Sequence, residues 1–212
     1  MKYSTTLSVI TAAFALQLCI ASLAVAGQAL PESPPPGLAY ATFAGGCFWC
    51  MESPYDKTEG VVETIAGYTG GHVNSPTYKQ VSAGSTGHYE ALRVVYDPQK
   101  VSYRKLVDIF WRNVDPYDSS GQFCDKGEQY RAAIFWHTPS QKADAEASIK
   151  DLLYTKRLTQ KPATELLEAQ TFWPAEEYHQ DYYTKNPLRY KFYRYNCGRD
   201  ARLKEVWGEA PH

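Results

Sequence analysis

From residue 38 onward the chain switches between short strand-like apolar runs and stretches with helical spacing. Residues 38–43 form an apolar run that predicts a strand, and residues 61–68 predict a second. Between them, glycines 45 and 46 mark a sharp turn into a helix that Pro54 keeps short or kinks. Residues 89–96 alternate: Glu90, Leu92, Val94 and Tyr96 share one face and Arg93 sits on the other, so Glu90 opens the apolar face. Tyr103, Leu106, Val107, Phe110 and Val114 recur at helical spacing and predict a helix over 102–113. A buried strand follows at 132–136. Thr138-Pro139-Ser140-Gln141 then reads as a capping box with proline at the first helical position. It opens a helix to about residue 156 with Ala145, Ile149, Leu152 and Leu153 inward. Residues 165–169 predict one more strand.

Residues 69–87 and 115–127, rich in glycine and turn formers, predict long loops, and loops of such length are often functional. Through Trp136 the order is strand, helix, strand, strand, helix, strand. That is the split βαβ, ferredoxin-like order of an α/β (α+β) two-layer sandwich with its helices on one sheet face. The segment after residue 169, dense in tyrosine and charge, predicts an irregular C-terminal tail.

Residues 1–26 change the picture at the N-terminus. They hold one cation, Lys2, an apolar stretch over about 7–25 and a small-x-small ending at Ala24-Val25-Ala26, which predicts a cleaved secretory signal peptide. Few cations argue against a mitochondrial transit peptide, and interrupting Thr, Gln and Ser argue against a membrane anchor. Leu18 stands where lipidation at Cys19 needs a small residue. Residues 27–37 read as a proline-rich linker, a disordered tether, and residues 38–212 as the single domain. Removal of residues 1–26 shifts the net charge from −1 to −2. No basic stretch is long enough to suggest nucleic acid, and nothing indicates stable membrane insertion or an oligomer, so a monomer is expected.

Four cysteines then remain: Cys47, Cys50, Cys124 and Cys197. In an oxidising compartment they could form two structural disulfides. A domain of this size needs no such staples, which favours redox-active thiols. Cys47 follows the Gly45-Gly46 bend at a helix start, where unpaired N–H groups and the helix dipole favour thiolate over thiol. Cys50 could complete a Cys-x-x-Cys redox pair or half a zinc site. The five histidines form no metal-type pair with each other or with Cys124 and Cys197, so no metal or organic cofactor is indicated. Glu90 on an apolar face predicts partial desolvation, a raised pKa and the role of an acid. Phe48 and Trp49 are core residues or the walls of an apolar pocket. Nothing local distinguishes Tyr78 and Tyr130 among 17 tyrosines, or Asp125 from an ordinary turn residue. The residues alone describe a secreted thiol enzyme with one carboxylic acid. The alternatives are a general thiol–disulfide oxidoreductase using Cys47-x-x-Cys50, or a binding domain stapled by Cys47–Cys50 and Cys124–Cys197.

Several spaced motifs occur in one order. They are Gly45-Gly46-Cys47-Phe48-Trp49, Thr69-Gly70-Gly71-His72 with Pro76-Thr77-Tyr78, Thr86-Gly87-His88-x-Glu90, Tyr96-Asp97-Pro98, Phe110-Trp111 and Gly127-x-Gln129-Tyr130-Arg131. Together they resemble the A-type peptide methionine sulfoxide reductases over residues 41–135, with a weaker echo at Tyr178-His179-Gln180-Asp181-Tyr182-Tyr183. The resemblance implies reduction of the S epimer of methionine sulfoxide, free or in proteins. Cys47 would be the nucleophile, Glu90 the proton donor, Tyr78 and Tyr130 hydroxyls on the oxygen, and Asp125 a polar residue shaping the site. Phe48 and Trp49 would hold the S-methyl group. It also implies a disulfide reduced by thioredoxin or a thioredoxin-like exported reductant. Two departures from the family pattern matter. Cys50 stands where many members have glycine, and Tyr195-Asn196-Cys197-Gly198-Arg199 replaces a glycine-rich cysteine tail, so resolution falls to Cys50 or Cys197, with Cys50 favoured. Cys124, where asparagine is common, reads as a residue lining the site.

Overall fold

The computed structural model describes residues 27–208, so the signal-peptide expectation for residues 1–26 lies outside the described residues. The strands are β1 (Ala39–Gly45), β2 (Val61–Thr69), β3 (Tyr89–Tyr96), the two-residue β4 (Gly121–Gln122) and β5 (Asp125–Lys126), β6 (Ala132–Trp136), β7 (Glu165–Glu168) and β8 (Trp173–Pro174). The helices are α1 (Phe48–Asp56), α2 (Tyr78–Ser82), α3 (Tyr103–Arg112), α4 (Pro139–Tyr154), α5 (Tyr182–Lys185), α6 (Pro187–Asn196) and α7 (Arg199–Trp207).

The main sheet runs β7-β6-β1-β3-β2-β8. Its central four strands, β6-β1-β3-β2, pair antiparallel in the order that the split βαβ arrangement requires, and β7 adds in parallel to β6. Period-two alternation sends successive β1 residues to opposite faces. Ala41 and Phe43 face α1, α3 and α4, where the Phe43 ring stacks at 5.3 Å on Tyr55 and 5.5 Å on Phe110. Trp111 Nε1 meets its one hydrogen-bonding need inside this core by donating to Ser148 Oγ at 2.9 Å. Tyr40 and Ala44 face the other way, with Ile65, Ala91, Val95, Phe135 and Phe172. There the Arg93 guanidinium lies 4.8 Å over Tyr40 and 4.5 Å over Phe172, so a buried cation is held by aromatic faces.

The strands and long helices fall where periodicity puts them, with six corrections. The loop predicted over 69–87 contains α2, opened by a capping box in which Thr77 Oγ1 accepts from Gln80 N and the Gln80 side chain reaches back to Thr77 N. The loop predicted over 115–127 contains the β4–β5 pair. The tail is helical instead of irregular, with α5, α6 and α7 in succession. Leu153, expected inward on α4, is 36% exposed, and Ser148 takes a buried place because it can bond Trp111. Thr138 caps α4 as expected, but Gln141 Oε1 accepts from His137 N, one residue beyond the capping-box partner. The proline-rich segment is docked: Leu30 N donates to Phe172 O at 2.9 Å. Among the described residues, no helix is long and apolar enough to cross a membrane.

Candidate active site

β1 ends in two glycines that leave no room for side chains. A Cβ on Gly45 would fall 2.5 Å from Met51 Sδ, and one on Gly46, whose φ is +80°, would fall 2.6 Å from Gln122 Cβ. The turn delivers Cys47 as the N-cap of α1, its carbonyl accepting from Cys50 N at 3.0 Å. The next helix-start N–H, that of Phe48, donates to Glu90 Oε2 at 3.3 Å. Glu90 lies opposite Tyr68 in the β2–β3 register and is 1% exposed.

An aromatic cluster closes around this turn. Phe48 is buried among Ala66, Tyr68, Val81 and Ala175, with Trp49, Tyr78 and Trp173 packed against them. Trp49 stacks on Tyr182 at 3.7 Å, meets the edge of Tyr193 at 5.8 Å and donates from Nε1 to His179 Nδ1 at 3.1 Å. Glu176 fixes the far wall, its carboxylate accepting from Tyr78 N and Tyr68 Oη, each at 2.9 Å. Tyr193 Oη donates to Asp125 Oδ2 at 2.5 Å.

Cys124 and Cys197 are bonded to each other, while Cys47 and Cys50 are free, buried thiols. The stapled-domain alternative is therefore half met: its second disulfide is present and its first is not. Cys197 Sγ lies 3.9 Å from Asp125 Oδ2. Cys124, Asp125 and Cys197 are the one grouping of metal-type ligands among the described residues, and its sulfurs are spent in the disulfide.

Burial dominates the electrostatics. It pushes the Glu90 carboxyl from an ordinary 4.5 up to about 8, against the Phe48 N–H and with help from Asp125 and Cys50. Glu90 is thus a protonated acid at neutral pH. Burial also keeps Tyr78 and Tyr130 as hydroxyl donors, Tyr78 raised to about 12 with Glu90 and Cys47 adding, and Tyr130 raised further. The Asp125 carboxyl is raised by burial, opposed by Tyr193, Arg199 and Lys126.

The thiol pair departs from the sequence expectation. Cys47 is pushed well up by burial, and then by Cys50, Glu90 and Asp125. Cys50 is drawn down to about 6 by the hydrogen bond from Cys47, against burial and with help from Arg199 and Arg194. Within the pair, Cys50 is the more readily ionised thiol. The geometry gives the reason: Cys47 makes no side-chain cap bond, and the Phe48 N–H serves Glu90, so the helix start does not stabilise the Cys47 sulfur.

The structure therefore gathers Cys47, Cys50, Glu90, Tyr78, Tyr130, Asp125, Phe48 and Trp49 around one turn, with Cys197 at its edge but bonded away. Such a set can attack an electrophilic sulfur, protonate an oxygen and close a disulfide. The sequence profile of the family described as peptide methionine sulfoxide reductase matches residues 39–211. The chain belongs to the peptide methionine sulfoxide reductase family. A peptide methionine sulfoxide reductase of Caulobacter vibrioides is 52% identical over 192 residues, which are 90% of this chain and 96% of the relative. The solved methionine sulfoxide reductase A of Corynebacterium diphtheriae is 32% identical with a TM-score of 0.65, over 78% of this chain and 89% of that one. A yeast protein, Mxr1, solved in complex with Trx2, shares the fold at 22% identity and a TM-score of 0.50, over 71% of this chain and 88% of that one. The reductase is thus an oxidoreductase that reduces methionine sulfoxide.

Sequence reasoning missed Arg199, Tyr193, Glu176 and His179 as parts of the reductase site. Only His179 lies in a stretch with a visible signal, the motif echo at 178–183. Its imidazole is held neutral, lowered to about 4 by burial, and because Nδ1 accepts from Trp49 its proton is assigned to Nε2.

The pKa of Glu90 sets a stability prediction. Its folded value is raised, so the stability that it allows is present below about 4.5 and is lost as pH rises towards about 8. Glu90→Gln removes that dependence, and its urea midpoint falls less than the wild-type midpoint between pH 5 and pH 8.5. Glu52, also raised to about 8 by burial, leaves a remaining slope in both proteins. Equal slopes would contradict the assignment of a buried neutral Glu90.

Proposed function

We propose that the chain reduces the S epimer of methionine sulfoxide, protein-bound and free, through a sulfenic acid on Cys47. The observation that carries this reading is the neutral Glu90 carboxyl fixed on the helix-start N–H beside Cys47. Cys47 attacks the sulfoxide sulfur after passing its proton to Cys50. Glu90 protonates the oxygen, and the Tyr78 and Tyr130 hydroxyls bond it as charge gathers there. Phe48 and Trp49 hold the S-methyl group. Methionine leaves with its sulfur reduced, and Cys47 is left oxidised as the sulfenic acid.

Cys50 then condenses with Cys47 to a disulfide and water. Two observations support Cys50 over Cys197: it is a free thiol held in the same helical turn as Cys47, its N–H donating to Cys47 O at 3.0 Å, and Cys197 is already bonded to Cys124. A thioredoxin-like dithiol returns the pair to the reduced state by exchange. The yeast Mxr1–Trx2 complex supports a partner of that kind. The apolar segment and small-x-small ending of residues 1–26 support work outside the cytoplasm, on exported proteins.

Substitution of the acid separates this reading from a general thiol–disulfide oxidoreductase. Glu90→Gln is expected to lower sulfoxide turnover by about 10²–10⁴-fold while leaving insulin disulfide reduction unchanged. Both reactions left unchanged by Glu90→Gln would favour the general oxidoreductase. For location, a fusion of residues 1–40 to a reporter active only after export is expected to give signal, and a reporter left in the cytoplasm would refute export.

A further inference from the structure

Arg199, at the start of α7, is 1% exposed, yet its guanidinium makes no ion pair with a carboxylate among the described residues. Nη2 donates to Gly45 O at 3.1 Å and Asn113 O at 2.6 Å and touches Met51 Sδ at 3.2 Å, all neutral acceptors. Nη1 lies 3.8 Å from where a Cβ on Gly46 would stand, and the Phe123 ring covers the guanidinium carbon at 4.4 Å. The cation is thus packed under the turn from which Cys47 and Cys50 project. Nε is buried without a partner.

A buried guanidinium that meets only carbonyls, a thioether and a ring face needs an anion close by. The charged and titratable groups around this space are Cys47 and Cys50 from the turn and α1, Glu90 from β3, Asp125 from β5, Tyr190, Tyr193 and Arg194 from α6, and Arg199 itself. Arg194 is paired with Asp200, Asp125 accepts from Tyr193, and Glu90 is held on Phe48 N. Asp125 also faces Arg199 but is engaged by the Tyr193 hydroxyl; Cys50 precedes Met51, whose Sδ touches Arg199 Nη2 at 3.2 Å, and is the second anion-forming group that faces the guanidinium.

We propose that Arg199 is a positioning residue for the resolving step, a counter-charge that holds the Cys50 sulfur as thiolate against the Cys47 sulfenic acid. This rests on Cys50 being the resolving cysteine. The Cys50 thiolate attacks the Cys47 sulfur, the S–S bond forms and the S–O bond breaks. Cys50, protonated when Cys47 was activated, ionises by passing that proton to the Glu90 carboxylate left by the first step, and Glu90 returns it to the oxygen, which leaves as water. Gly198, with φ +67°, links Arg199 to Cys197, so the Cys124–Cys197 bond anchors the segment that carries the guanidinium.

The test is single-turnover reduction of a methionine-S-sulfoxide peptide without reductant, on the full chain, with methionine release and disulfide closure timed separately and sulfenic acid trapped by dimedone. Arg199→Met is expected to slow closure at least about tenfold more than methionine release, the scale of losing a hydrogen bond or contact to a charged group. Trappable sulfenic acid should accumulate, and the midpoint of Cys50 alkylation should move up by about one pH unit. Arg199→Lys keeps the charge, so it should hold that midpoint near wild type, and it serves if the methionine variant does not fold. Closure and methionine release slowed equally, with the alkylation midpoint unmoved in either folded variant, would overturn the proposal. Cys50→Ser run alongside isolates the underlying reading: a disulfide still closing at the wild-type rate would show that Cys50 does not resolve.

Discussion

The site depends on the absence of side chains at Gly45 and Gly46. Met51 and Val114 at Gly45, and Gln122 at Gly46, lie so close to the backbone that a Cβ would meet one of them. Three parts of the chain thereby converge on one peptide segment: α1, which carries the thiols; the β4–β5 pair, which carries Gln122 and Asp125; and α7, which carries Arg199. Gln122 seals this junction with two buried bonds to the backbone of Asp115. Because the turn is fixed, Cys47 lies at the helix start and the following N–H reaches Glu90. The catalytic geometry is a consequence of backbone crowding at the end of a central strand.

Burial then divides the labour among groups of similar intrinsic acidity. Glu90 and the two tyrosines lose their charged forms to desolvation and become proton donors. Of the two thiols Cys50 is the more readily ionised, favoured first by Cys47 and then by Arg199 and Arg194 of the tail, against its burial.

Much of this was legible because the core elements have strong periodicity. β1, β3 and β6 are buried along nearly their whole length, α3 buries one helical stripe, and the Thr138 cap marks the start of α4. The turn motif and Glu90 could be read for their chemistry, since a cysteine after two glycines and a carboxylate on an apolar strand face are both unusual. Tyr78, Tyr130 and Asp125 came only with the family resemblance. The tail was opaque for a physical reason: α6 buries no residue completely and has no apolar stripe facing the core. α2 is five residues long and its capping box sits inside a glycine-rich stretch. The Cys124–Cys197 bond spans 73 residues, and nothing local selects that pairing. Arg199 looks like one more surface cation until α7 folds it under the turn.

The central claim is that one sulfoxide is reduced at Cys47 and resolved by Cys50 while the Cys124–Cys197 bond stands apart. Peptide mapping of the reductase after one turnover without reductant tests it most directly, with methionine and remaining thiols counted for each sulfoxide epimer. The account predicts one methionine from the S epimer alone, loss of both free thiols, a new Cys47–Cys50 disulfide and an unchanged Cys124–Cys197. No product from either epimer would contradict the reaction, and a disulfide joining Cys47 to Cys197 would contradict the assignment of the resolving cysteine.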